Sequence, residues 1–302
     1  MGQNMEKNIV DNIDDKGQMD IVSNDFKDKK KILTNVLLFG AFPFICIVFG
    51  LLGKWILFGI ALFIYLGIFI YIKLESIWLI ITGYYDKKGD LSNALRASFK
   101  AYKRKNSDMN TANIFVYMLL KTGKYEKAEE VIKDNTKRQM TENQYIAFYS
   151  NYALALWKLN KISKAIEVFD EVLEKFESTS IYVSFGTILT FSDDLNKALE
   201  VNKKAYEYNS ASKGIKDNLA TTYFLLGDRD RAKRLYDELL DDPASFPEAY
   251  YNAGRVYQAI GQYDEAIRLY KQALSKTFNG LSAVSRDEVV KRVDYLNRGQ
   301  GI

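Results

Sequence analysis

Hydrophobic and polar residues along this chain fall into three regimes. Residues 1–26 mix Asp, Asn, Lys and Gly with few apolar side chains, a pattern that predicts a disordered tail. Residues 32–53 (ILTNVLLFGAFPFICIVFGLLG) then run without a charge, and after Lys54 a second uncharged run (WILFGIALFIYLGIFIYI) reaches Ile72. Both runs are apolar on every face, unlike the one-sided stripe of a surface helix. From about residue 76 onward, apolar positions recur every three or four residues, as in Ile166, Phe169 and Val172, or Leu235, Tyr236 and Leu239. That spacing predicts a succession of amphipathic helices.

The two uncharged runs each come close to the roughly 20 residues that a helix needs to cross the hydrocarbon of a bilayer. With a tight turn at Gly53-Lys54 they predict a transmembrane hairpin over residues 27–75, with spans at about 32–53 and 55–72. The first run is too long for the core of a cleaved signal peptide, and no small-residue cleavage site follows it. Pro43 falls in mid-run, where bilayer helices tolerate it. Lysines set the orientation. KDKKK (residues 27–31) precedes the first run, Lys73, Lys87 and Lys88 follow the second, and the intervening turn has only Lys54. The positive-inside rule then places both termini in the cytoplasm of a membrane-anchored protein.

The helical region repeats one turn six times. It reads GDLSNA, GKYEKA, NKISKA, DDLNKA, GDRDRA and GQYDEA, closing on Ala94, Ala128, Ala165, Ala198, Ala232 and Ala266. Those alanines are spaced 34, 37, 33, 34 and 34 residues apart. A fixed period of this size marks a solenoid in which each unit is helix, turn, helix. Each turn opens on Gly, Asn or Asp, the residues that accept the left-handed conformation ending a helix. The alanine predicts close approach of the two helices in a unit.

In these residues the units resemble tetratricopeptide repeats. The last, PEAYYNAGRVYQAIGQYDEAIRLYKQAL (residues 247–274), is the most similar: Tyr250 stands at the family's Trp position and Ala253-Gly254 at its Leu-Gly, with Tyr257, Gly261, Ala266, Tyr270 and Ala273 completing the match. Gly186 and Ala220 fill the small inter-helix position in the two preceding units; in earlier units Val116 and Thr82 replace it. The expected architecture is therefore all-α: a two-helix transmembrane hairpin, an α-solenoid of about six repeats over residues 76–274, and a capping helix and tail over 275–302. The cap is read from SRDEVVKRVDYLN (residues 285–297), where Ser285 and Glu288 have capping-box spacing and Val289, Val293 and Leu296 share one face. A solenoid needs such a polar-faced end.

Composition then removes most catalytic chemistry. The chain has no histidine, which excludes imidazole bases and His-ligated zinc. Its one cysteine, Cys46, lies in the first apolar run and reads as a small lipid- or helix-facing residue. GLLGK (residues 50–54) lacks the first glycine spacing and the Ser/Thr of a phosphate loop. Glu167, Asp170 and Glu171 stand near Lys164 and Lys175 at helix-surface spacing and read as solvated ion pairs. A net charge of +4, with no basic stripe among aromatics, gives no ground for a nucleic-acid partner. No enzyme, cofactor or metal is expected.

The resemblance implies that first helices line a concave groove. Carried over unit by unit, its walls are Asn113 and Tyr117; Ser150, Leu154 and Trp157; Val183, Thr187 and Phe191; Asp217, Thr221 and Phe224; and Tyr251, Arg255 and Gln258. Some of these aromatics can instead belong to the core within a unit. With Arg255 as the only cation and Asp217 opposing anions, the set does not match the cationic clamp by which relatives grip acidic chaperone tails. A groove of this kind suits an apolar or aromatic peptide or a partner's helix. Two functions follow: a membrane-tethered cytoplasmic scaffold for a protein partner, or an accessory subunit held through its spans in a membrane-embedded transport, secretion or envelope complex.

Overall fold

Six helical hairpins stack along the chain, each made from one period of the repeat. A computed structural model describes residues 40–104 and 107–299, and these form fourteen helices with no strand among the described residues. The tail at 1–26, the lysine cluster at 27–31, the start of the first apolar run and the Cys46 side chain lie outside the described residues. Helix α1 (Phe42–Leu51) and α2 (Trp55–Lys87) come first. The far end of α2 pairs with α3 (Leu91–Tyr102) as the first unit. Then follow α4 (Met109–Lys121) with α5 (Tyr125–Asn135), and α6 (Glu142–Lys158) with α7 (Ile162–Lys175). The fourth, fifth and sixth units are α8 (Thr179–Leu189) with α9 (Leu195–Tyr208), α10 (Lys213–Leu225) with α11 (Arg229–Leu240), and α12 (Pro247–Ala259) with α13 (Tyr263–Leu274). Helix α14 (Arg286–Asn297) ends the described fold.

Local chemistry starts and stops these helices where the sequence pattern changes. Asp108, Ser178 and Ser212 each accept a hydrogen bond from the backbone N–H three residues on, capping α4, α8 and α10. Thr141 and Gln144 form a full reciprocal capping box at α6. Between the helices of a unit, Gly89, Gly123, Gly227 and Gly261 take positive φ, and Asn160 does so as the one non-glycine among the described residues. The fourth turn departs from the expectation. Asp193 does not enter the left-handed region; successive bonds from Phe191 N–H to Ile188 and from Ser192 N–H to Leu189 tighten the helix end instead.

The six closing alanines are all fully buried, at 0% exposure. A Cβ is the largest group these crossings admit, and in two units even that is too much on the facing helix. A Cβ on Gly254 would lie 2.6 Å from the Tyr270 ring, and one on Gly186 would lie 2.1 Å from the Asn202 side-chain oxygen. Phe169, Val172, Tyr236 and Leu239 are buried as the periodicity predicts, while Ile166 and Leu235 are partly covered at the edge of the core. On the outer face Asp170 pairs with Lys197 of the next unit at 2.5 Å. Stacking brings second helices of neighbouring units close enough for that exchange.

The junction with the apolar segment differs from the sequence reading. The second uncharged run ends at residue 72, yet α2 runs unbroken for 33 residues from Trp55 into the first unit. Of the described helices it alone is long and apolar enough to cross a membrane, and none of its apolar stretch is buried in the protein. Helix α1 folds back on it through Gly53, setting Phe42 against Tyr65, and Pro43 lies just after a π-helical step at residues 40–41. At mid-helix the solenoid grips α2 directly. Arg104 donates to the Tyr71 carbonyl at 3.0 Å and lies over its ring, while the Glu75 carboxylate accepts from the Thr111 hydroxyl. A boundary at residue 75 would therefore cut one continuous helix.

The C-terminal end also departs from a simple stacked cap. Ser285 does cap α14 by accepting from Glu288 N–H, and Val289, Val293 and Leu296 are buried against the last unit. Before α14, however, the chain leaves the sixth unit, crosses to the second and returns, so residues 275–285 form a strap across the concave side. Gly280 N–H donates to the Lys121 carbonyl at 2.8 Å, and the Tyr125 hydroxyl donates to the Gly280 carbonyl at 2.6 Å. Leu281 packs on the core of the second unit.

Candidate functional site

The concave side encloses a cavity of about 580 Å³. Its walls are first helices of the second to sixth units, with the strap and α14 on the remaining side. Ten of the fourteen residues expected in the groove line it: Tyr117, Leu154, Trp157, Val183, Thr187, Phe191, Asp217, Thr221, Tyr251 and Arg255. At one end Trp157 and Phe191 meet with ring centroids 5.3 Å apart. Trp157 is almost wholly covered, whereas Phe191 is 45% exposed, the largest apolar surface presented by this set.

Four expected wall residues are not on the cavity. Asn113 is buried, and its amide donates to the Gln144 carbonyl at 3.1 Å, tying the second unit to the third. Gln258 accepts from the Tyr270 hydroxyl at 2.8 Å inside its own unit. Phe224 lies beneath the Arg255 guanidinium, 5.0 Å from ring to charge, and is partly covered. Ser150 is half-buried beside the cavity lining but not part of it. Asn113 is turned toward the adjoining unit and Gln258 toward the second helix of its own, because a first helix packs on both as well as facing the groove.

The groove is also more charged than the sequence suggested. Asp217, in the wall, is buried; the Tyr236 hydroxyl donates to it at 2.8 Å and the Asn252 amide at 3.3 Å. Burial outweighs those bonds and pushes its carboxyl up to about 7. Tyr251 is buried too, and its hydroxyl donates to Glu288 of α14, so this expected wall residue is engaged internally. Burial and that carboxylate both push the Tyr251 hydroxyl up. Glu288, Arg292 and Glu248 complete the charged part of the lining.

Lys158 and Glu248 hold the strap. Lys158 donates to the Ser282 carbonyl at 2.6 Å, and Glu248 accepts from the Ala283 N–H at 2.7 Å. These are the two ends of one peptide group. Burial lowers the Lys158 ammonium to about 8, with Glu248 countering in part. Burial likewise raises the Glu248 carboxyl, against the N–H groups at the start of α12 and the strap. None of this is legible locally. Lys158 ends one amphipathic helix and Glu248 begins another, both ordinary places for surface charge. The available hint was Asn279-Gly280, a turn dipeptide with apolar Phe278 and Leu281 at its shoulders.

An α-solenoid of helix-turn-helix repeats whose first helices wall a concave channel is the class that this fold and site define. Models of the tetratricopeptide repeat match residues 73–210, 214–242 and 247–279. The chain is a tetratricopeptide-repeat protein. A TPR repeat-containing protein of Methanocaldococcus jannaschii is 23% identical over 229 residues, 75% of this chain and 38% of that protein. A BBSome complex member of Bos taurus is 27% identical over 150 residues, 49% of this chain and 28% of its own length. The chain thus spans well under half the length of either relative. Among solved structures, PilW, a widely conserved type IV pilus biogenesis factor, superposes with TM-score 0.53 at 14% identity, covering 67% of this chain and 93% of that one. Pseudomonas aeruginosa PilF gives 0.51 at 13% identity, covering 74% and 97%. At such identities the likeness establishes the fold.

Proposed function

We propose that this protein is a non-enzymatic, membrane-anchored scaffold whose solenoid holds a segment of a protein partner in the concave channel on the cytoplasmic side. The observation that carries the reading is the cavity itself, which gathers Tyr117, Trp157 and Phe191 from three units beside Leu154 and Val183. Aromatic and aliphatic walls with a few polar groups are what a buried peptide side chain requires. Anchoring rests on the uncovered apolar faces of α1 and α2: Phe44, Leu51, Trp55, Ile56 and Phe63 are all more than 60% exposed. Outside a bilayer that surface would drive association. The lysines flanking the runs give both termini to the cytoplasm.

A photocrosslinker placed at Phe191 or Thr187 in the native membrane tests this reading, with Lys203 on the exposed face of α9 as control. Crosslinks to one defined protein from the groove positions and none from Lys203 are expected. The reverse pattern would move the binding surface to the convex side. Protease added outside intact cells should leave the solenoid uncut; its digestion there would overturn the orientation.

The accessory-subunit reading is favoured by one feature. The unbroken α2, with Arg104 and Glu75 fastening its middle to the solenoid, couples anything that tilts the helix in the bilayer to the groove. Crosslinks to an integral membrane protein from exposed α2 positions such as Phe63 would support it.

A further inference from the structure

The strap is held in a way that a permanent part of the core does not need. Two half-buried charges from opposite walls grip the Ser282–Ala283 peptide group, and both backbone groups of Gly280 are taken up by Lys121 and Tyr125. All four contacts read backbone rather than side chain. A fixed crossing would be held at least as well by further apolar packing, because charges drawn partly out of water return little net stability against similarly shaped hydrophobics. Charges do have one advantage at a reversible contact: when the strap leaves, water solvates Lys158 and Glu248, so the apolar surface uncovered is confined to the contacts of Phe278, Leu281, Ala283 and Val284. The strap is also shaped in advance. Ser282 N–H donates to the Asn279 carbonyl at 3.0 Å, and Leu281 N–H donates to the Asn279 side chain at 2.8 Å, so residues 279–282 form a self-contained turn.

We propose that this strap is a self-ligand, occupying the subsite that a partner's glycine-containing turn takes in exchange for it. The chemistry of the subsite defines that turn. It must carry glycine at the tip, because a Cβ at position 280 would lie 2.2 Å from the Leu120 carbonyl and 2.6 Å from Gly123 N, both backbone atoms. An aliphatic residue follows, as Leu281 does against the second unit, then small residues whose peptide group meets Lys158 and Glu248. Partner binding and strap release are then one competition, in which the strap has the advantage of being tethered; short tethers give effective concentrations of about millimolar. The inference rests on the scaffold reading above and deepens it by naming the form of the ligand.

The test uses the full chain in nanodiscs and a fluorescent synthetic peptide carrying residues 276–286. Gly280→Ala in the protein disables the strap in cis. The peptide should bind that variant at least tenfold more tightly than the unaltered chain, and a peptide with the same glycine-to-alanine change should not bind. Adding Lys158→Met to the Gly280→Ala protein should weaken peptide binding tenfold or more. A Gly280→Ala chain that keeps its helical signal and binds no better than the unaltered one overturns the proposal.

Hydrogen exchange on the unaltered chain gives a reading independent of any variant's folding. The Gly280 and Ala283 amides should exchange together, at least a hundredfold faster than Leu219 and Val256 in α10 and α12; equal protection would make the strap a fixed element. A concentration-dependent dimer of the unaltered chain that Gly280→Ala abolishes would assign the subsite to a second copy and overturn the partner assignment. The two readings fail separately. Peptide exchange without crosslinks at Phe191 removes the scaffold function and keeps the self-ligand, and crosslinks at Phe191 with a strap that never opens do the opposite.

Discussion

Lys158 and Glu248, from the third and sixth units, hold opposite ends of the single peptide group between Ser282 and Ala283. Neither charge has an equivalent role without the other, since each is desolvated by the closure that the strap completes. Removing one leaves the other partly desolvated beside a peptide group that satisfies it only in part. Lys158→Met and Glu248→Gln should therefore be non-additive: the double variant should be less destabilised than the sum of the singles, by about 0.5–3 kcal/mol. A double-mutant cycle on thermal unfolding in detergent reads this directly, and additive effects would show that the two act independently.

Asp217 makes stability depend on pH. Its carboxyl titrates at about 7 in the fold, against 3.8 when free, so the folded chain holds this proton more tightly than the unfolded chain does. The site favours folding most below pH 4 and loses that contribution as pH rises to 7 and beyond. At 1.36 kcal/mol per pH unit the full loss is at most about 4 kcal/mol. Asp217→Asn keeps an acceptor for Tyr236 and removes the charge. The variant should be more stable than the unaltered chain at pH 8 and close to it at pH 4–5. Equal slopes of melting temperature against pH would refute the assignment.

Ala232 is fully buried at the crossing of α10 and α11. Ala232→Leu has no space to fill and should cost about 1–3 kcal/mol or more through forced rotamers and backbone shifts. A melting temperature unchanged by this substitution would count heavily against the repeat alignment.

Phe191 and Tyr251 occupy the same cavity but should behave differently. Phe191 is substantially exposed and touches only Trp157 among the described aromatic pairs, so Phe191→Ala should weaken partner capture by roughly 1–2 kcal/mol while the melting temperature holds. Tyr251 packs on Tyr270 and is bonded to Glu288, so Tyr251→Ala should first lower stability and loosen α14. Charge reversal at exposed Lys203 should leave both readouts unchanged. If Phe191→Ala binds normally, the aromatic end of the cavity is not the contact.

What the sequence determined by itself is whatever repeats or is short-ranged. Six turns at a near-constant period, each closing on an alanine, specify helical hairpins and their packing, because a helix crossing needs a small residue whatever lies further along the chain. The buried Ala94 to Ala266 series and the Ser285 cap follow from that local logic. Ten groove residues were legible for the same reason: the period carries a face from one unit to the next. Tertiary structure decided the rest. How α2 continues past residue 72 is tied to Arg104 and Thr111 meeting it from outside, and whether a first-helix position faces the channel, the next unit as Asn113 does, or the second helix of its own unit as Gln258 does, depends on how the helices pack. The strap depends on more still. Its partners lie in the second, third and sixth units, and only the curvature of the solenoid brings Lys121, Lys158 and Glu248 around one glycine turn. No local pattern records a curvature that accumulates over the four unit-to-unit contacts between the second and sixth units.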